Sequence, residues 1–261
     1  MPLRIVVAVK PVPRAATPTR FDPGSLRLDR TGPSELNQPD EHAIEEALLL
    51  RDKVGGEIVA IAVTPTTGIE SLRTALAMGV DRAVAVSDPV LEGSDLLATS
   101  RVLAAAVMRE SSDVVIFGSQ ATDGAGAMLW AAVAERLEMP VLSSARNLEL
   151  VQGRLRAIVQ RADGSRVVDA PTPCIVALSG AVNSPRYPAF KGIVAAKKQQ
   201  IPVLTAADLA IGPDAVGAAG SGTAVLSLTS APARAVVAEL VTDEGHGAEW
   251  LYDFILKRVA L

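Results

Sequence analysis

Val115-Ile-Phe-Gly-Ser-Gln-Ala-Thr-Asp-Gly-Ala-Gly126 decides the reading of this chain: an apolar run breaks into small and polar residues and then enters a helical pattern. The same unit recurs upstream. Ile5-Val-Val-Ala-Val9 precedes a helical pattern from Asp40 to Lys53, and Ile58-Val-Ala-Ile-Ala-Val63 precedes another from Ile69 to Ala77. Ala83-Val-Ala-Val86 leads to a helix over Ser94 to Glu110, and Val114-Val-Ile-Phe117 to one reaching Glu138. Strands apolar at nearly every position belong to a parallel sheet covered by helices on both faces. Right-handed crossovers make that sheet doubly wound. Ligands of such sheets sit beyond the carboxyl ends of the strands, where the strand order reverses.

The second half changes character. Asn147 to Val151, Arg154 to Gln160, Val167-Val168 and Cys174 to Leu178 read as short strands joined by tight turns, a β-meander. Beyond Ser179 come Asn183-Ser-Pro-Arg-Tyr-Pro188, a basic segment from Lys191 to Lys198, a Gly/Ala-rich stretch from Gly212 to Gly222, and a helical pattern near Glu249 to Arg258. The expected organisation is an α/β nucleotide-binding domain with the meander over 1–180, and a recognition loop with an extended C-terminal arm over 181–261. An arm with few core-forming runs offsets its ordering entropy by lying on another protein.

Composition narrows the function. The 261 residues are 49% hydrophobic but only 3% aromatic, so Ala, Val, Leu and Ile must fill the core. One cysteine, Cys174, excludes a disulfide framework and a cysteine-ligated cluster built by this chain alone. A net charge of −4 without a basic stripe speaks against nucleic acid. Apolar runs stop short of the roughly 20 residues of a spanning helix, and no signal-like segment precedes Leu3, so a cytoplasmic protein, not membrane-embedded, is expected.

Three segments can carry function. The loop of Gly118, Ser119, Gln120, Ala121, Thr122, Asp123, Gly124, Ala125, Gly126, Ala127 and Met128 suits a phosphate, because N–H groups at a helix start accept anions and the glycines admit close approach. It equally suits an ordinary turn capped by Thr122 or Asp123. Asn37, Gln38, Pro39 and Asp40 open a helix, with Pro39 and the acidic Asp40 and Glu41 as its start signals; capping explains them, and Asn37 and Asp40 could also meet an adenine or ribose. His42 reads as a solvated first-turn residue. In the third segment Pro185, Arg186, Tyr187, Phe190, Lys191, Lys197 and Lys198 make a two-proline turn, an aromatic and a short basic helix, the composition of a docking loop. Neither histidine has a nucleophile beside it, and the carboxylates are scattered, so catalysis by this chain alone is not expected.

In their order, several segments resemble the β subunit of electron transfer flavoprotein. They are Val7-Ala-Val-Lys-Pro-Val-Pro13, Asn37 to Ala47, Leu72 to Asp81, Gly93-Ser-Asp95, the Gly118 to Gly126 loop, Asn183 to Pro188, and Gly192 to Lys198. The resemblance runs nearly the whole length. It implies a Rossmann-like fold and a heterodimer with an α subunit that carries FAD. The β subunit would bind AMP structurally and dock flavoprotein dehydrogenases, whose electrons pass to a downstream acceptor. By position the AMP site would comprise Ala8, Asn37 to Asp40, Val63, and Gly118 to Met128, while the docking anchor falls on Phe190. Where many relatives carry polar side chains toward the phosphate, this chain has Gly126, Ala127, Met128, Leu129 and Trp130, so a phosphate would rest mainly on backbone N–H groups. Ser184 and Arg14 stand where acidic residues are common, features of a paralogue with its own dehydrogenase; the Thr-Asp-Gly loop resembles actinobacterial members. Two alternatives remain at this level: an electron-bifurcating subunit with a second FAD in place of AMP, and a free-standing nucleotide-binding module of the universal-stress type.

Overall fold

A computed structural model describes residues 2–15, 20–180, 182–229 and 240–258. Residues 1–226 make one compact unit and 227–261 a second. In the first unit the chain runs through β1 (Leu3–Ala8), β2 (Pro11–Pro13), β3 (Phe21–Asp22), β4 (Arg27–Leu28), β5 (Ser34–Leu36), α1 (Gln38–Val54), β6 (Gly56–Val63), α2 (Leu72–Met78) and β7 (Arg82–Val86). It continues with α3 (Leu96–Glu110), β8 (Val114–Phe117), α4 (Leu129–Leu137), β9 (Val141–Val151), β10 (Arg154–Arg161), β11 (Gly164–Pro171), β12 (Cys174–Leu178), α5 (Phe190–Lys198) and β13 (Val203–Leu204). The second unit contains α6 (Gly247–Arg258).

The main sheet has nine strands in the order β11-β10-β9-β12-β8-β1-β6-β7-β13. From β9 to β13 every pairing is parallel. β10 and β11 extend the sheet antiparallel. The apolar runs account for this arrangement, since a strand buried on both sides has no polar face to offer. Ile5 and Val7 point into a core shared with Ile44, Ala47 and Leu48 of α1. Val6 and Ala8 point the other way, toward Val102 and Val107 of α3 and Val133 of α4. Each fully buried Val or Ile contributes about 1.5–3 kcal/mol. The sheet is therefore doubly wound, as expected.

Two helix and strand expectations change. The helix over Ile69 to Ala77 begins as a 3-10 turn over Thr66–Ser71 and becomes α-helical only at Leu72. Cys174 to Leu178 is not the last meander strand. It returns to the sheet interior as β12, parallel to both β8 and β9, and only β9, β10 and β11 form the meander. Burial is the reason: all five β12 positions are buried, whereas β11 is exposed at all but Ala170.

Residues 182–226 spend much of their polar surface on the β13 edge of the first unit. The Arg73 guanidinium donates to the carbonyls of Ala196 and Gln199, tying α5 to α2. Asp95 caps α3 and accepts from the Gly222 and Thr223 N–H groups. Within the second unit, α6 stacks Trp250 on Phe254 at 5.0 Å and places Arg258 over the Phe254 ring. Other parts of the expected arm, at 181, 230–239 and 259–261, lie outside the described residues.

Candidate functional site

From β1 the chain steps to β6 and β7, then crosses back to place β8 on the other side of β1. The reversal point lies between β1 and β8. Lys10 follows β1, the start of α1 lies beside it, and the loop from Gly118 leaves β8 at the same end. Strand order thus gathers three segments that are far apart in sequence.

Asn37 joins them. It is buried, and its side chain makes no cap hydrogen bond to α1. Its Nδ2 donates to the Gln120 carbonyl at 3.0 Å, and its Oδ1 accepts from the Thr122 N–H at 3.0 Å. This two-pronged contact sets the course of the loop. Capping by the Asn37 side chain, the simpler expectation, is replaced by loop bracing. Asp40 is also buried, and its Oδ2 accepts from the Lys10 N–H at 2.8 Å. Burial pushes its pKa up to about 7, against the lowering effect of Asn37 and Lys10. Gly118 is required where β8 passes α1: a Cβ there would lie 2.5 Å from Asp40 Oδ1 and 2.7 Å from the Pro39 carbonyl.

Further along the loop, Asp123 binds Lys10 Nζ at 2.7 Å and Arg30 Nη2 at 2.5 Å. Burial works against its charge, but these two cations hold its pKa below the ordinary carboxylate range. Residues 124–128 are exposed. Ala125 and Ala127 have φ of 45° and 48°, while Gly124 and Gly126 lie outside the left-handed range. Alternation of this kind turns successive N–H groups toward one side and makes a concavity suited to anions. α4 then starts at Leu129 with Met128 as its N-cap residue and no side-chain cap, so neither Thr122 nor Asp123 caps it. Ala8 and Val63 close the ends of β1 and β6 nearby in the sheet, Ala8 buried and Val63 partly so.

The docking segment is fastened to α1. Arg186 donates through Nε and Nη2 to both Glu45 oxygens at 2.8 and 2.9 Å, and its N–H donates to the same carboxylate. Asn183 Nδ2 donates to the His42 carbonyl and to Glu46 Oε2. His42 corrects its sequence reading: it is only 8% exposed, with Nδ1 at 2.9 Å from Asn183 Oδ1, because this loop folds over the helix. Fastening the loop leaves Tyr187 97% and Phe190 82% exposed. Pro185 is half-buried, whereas Lys191, Lys197 and Lys198 are exposed. Of the candidate docking residues, Arg186 thus turns inward and the aromatics turn outward.

Lys10 and Arg30 escaped the sequence reading of the site. Lys10 carried a usable signal, since it directly follows the first parallel strand. Arg30 carried none. Cys174 is buried in β12 and burial pushes its thiol up to about 12, which makes it unreactive. Among the described residues, no cluster of His, Cys, Asp and Glu could hold a metal ion, and no helix is long and apolar enough to cross a membrane.

A doubly wound sheet with a braced, anion-suited loop at its reversal point defines an α/β protein of the nucleotide-binding class. Residues 25–209 match the family model described as electron transfer flavoprotein domain. The chain is 35% identical over 259 residues to the electron transfer flavoprotein subunit beta of Mycobacterium tuberculosis, covering 97% of each. It is 37% identical over 244 residues to the protein of that name from Thermoanaerobacterium thermosaccharolyticum, covering 92% of each. A third relative, the caffeyl-CoA reductase-Etf complex subunit CarD of Acetobacterium woodii, is 34% identical over 235 residues, with 89% of each covered. The chain belongs to the electron transfer flavoprotein family, on the β-subunit side.

Proposed function

We propose that this chain works as an electron transfer flavoprotein β subunit: paired with an α subunit that carries FAD, it helps accept electrons from flavoprotein dehydrogenases and pass them to a downstream acceptor. The flavin supplies the redox chemistry. This chain supplies binding surfaces. The observation that carries the reading is the 118–128 loop, braced by Asn37 at its base and bare of large side chains at Gly124 to Ala127. AMP fits there as a structural ligand, its phosphate on backbone N–H groups with Lys10 and Arg30 to hand. The exposed apolar side chains of α6, Leu251, Tyr252, Ile255 and Leu256, would be covered by the α subunit. A cytoplasmic location accords with the single buried thiol.

Co-expression with an FAD-carrying α subunit, followed by flavin and nucleotide extraction, tests this. One flavin and one AMP per heterodimer are expected. Two flavins without AMP would instead establish a bifurcating type, and a stable homodimer needing no partner would establish a free-standing nucleotide module.

Phe190 is the proposed anchor for the dehydrogenase. An aromatic 82% exposed at the start of α5 costs free energy in water and gains it in a partner's pocket. Phe190→Ala is expected to weaken dehydrogenase binding by about 2 kcal/mol, roughly 30-fold, without loosening the heterodimer. Stopped-flow reduction by the dehydrogenase reads the loss; unchanged kinetics would remove Phe190 from the docking surface.

A further inference from the structure

Asp123 sits in the loop assigned to a nucleotide phosphate, yet it brings a negative charge there. Its side chain is only 4% exposed, although the residues just after it are exposed. Each carboxylate oxygen holds a different cation, Lys10 Nζ at 2.7 Å and Arg30 Nη2 at 2.5 Å. Lys10 comes from the connection after β1 and Arg30 from the chain between β4 and β5, so Asp123 ties two separate segments to its own loop. Both cations remain partly open to solvent, with 39% and 37% of their side chains exposed. They are fastened on one side and available on the other.

The charges decide what such a site can take. Lys10 and Arg30 bring two positive charges, the ionised Asp123 removes one, and Asp40, which contacts the Lys10 backbone, adds no positive charge. A single phosphate meets a net attraction. Each further phosphate brings more negative charge to a region whose surplus is already used and whose carboxylate cannot withdraw. Specificity built by a repulsive group needs no additional contact to the favoured ligand.

We propose that Asp123 is the residue that makes this site selective for a nucleoside monophosphate over nucleoside di- and triphosphates. The inference rests on the nucleotide reading of the loop and adds the group that counts charge within it.

The test is calorimetric titration of the α–β heterodimer, stripped of nucleotide, with AMP, ADP and ATP in metal-free buffer. Wild type is expected to bind AMP most tightly and ATP least. In Asp123→Asn the preference for AMP over ATP should shrink by about tenfold or more, the effect of removing one like charge at short range. Arg30→Gln should move it the opposite way, weakening ATP more than AMP, a divergence that general loosening of the loop cannot produce. An unchanged ranking in Asp123→Asn, an equal loss for all three nucleotides, or shifts of the same direction in both variants would overturn the proposal while leaving the nucleotide site standing. Failure of wild type to bind any of the three would overturn the nucleotide reading itself, and this inference with it.

Discussion

Replacing Gly124 and Gly126 together by valine is expected to leave the subunit folded and to weaken AMP binding by about a hundredfold or more, since crowding would cost several hydrogen bonds to phosphate at once. Among the described residues, no atom lies within 4 Å of a Cβ built at either position, and neither glycine has left-handed φ. The chain can therefore accept both side chains at the level of its own packing. A ligand phosphate drawn down onto the backbone cannot, because it needs the space that the missing side chains leave. Melting temperature and nucleotide content of the purified heterodimer separate the two effects. Retention of AMP by the double variant would make this stretch a plain turn. Gly118 is the opposite case, since there the contacts of Pro39 and Asp40 already demand glycine.

The second large effect is a pH dependence centred on Asp40. Its carboxyl titrates near 3.8 when unfolded, and burial raises it to about 7 in the folded chain. Between those values the folded state holds a proton that the unfolded state has lost, so this group's contribution to stability is full below pH 4 and declines as pH rises toward 7. Fully expressed, the decline is on the order of 4 kcal/mol, about three pKa units at 1.36 kcal/mol each. Asp40→Asn keeps an oxygen for the Lys10 N–H and carries no titrating proton. The variant should therefore match wild type near pH 4 and exceed it in unfolding free energy at pH 8. Chemical denaturation at several pH values measures this, and parallel profiles for the two proteins would show that Asp40 is not held neutral by its surroundings.

Both predictions depend on features legible to different degrees beforehand. Gly118, Gly124 and Gly126 stand out in the chain because small residues after an apolar strand mark a close approach. Pro39 with Asp40 and Glu41 marks the start of α1, which forms over Gln38–Val54. Nothing local marks Asp40 as a buried group, or Asn37 as the brace of a loop 83 residues away. His42 is the clearest failure. Its position in a first helical turn reads as solvated, yet Asn183, 141 residues later, closes over it. Lys10, Arg30 and Asp123 meet only because β8 lies beside β1, and no periodicity in any one segment encodes that neighbourhood.

Sequence alone determined the elements of this protein: continuous apolar runs can be satisfied only inside a sheet covered on both faces, and helix starts and glycine loops carry their own stereochemistry. Tertiary structure decided which strand lies beside which, and with that the insertion of β12, the two cations on Asp123 and the closing of the docking loop over α1. The reason is physical. Burial and backbone preference act on each residue through its immediate neighbours in the chain, whereas a charge or hydrogen bond between distant residues exists only after the sheet order has brought them within about 3 Å.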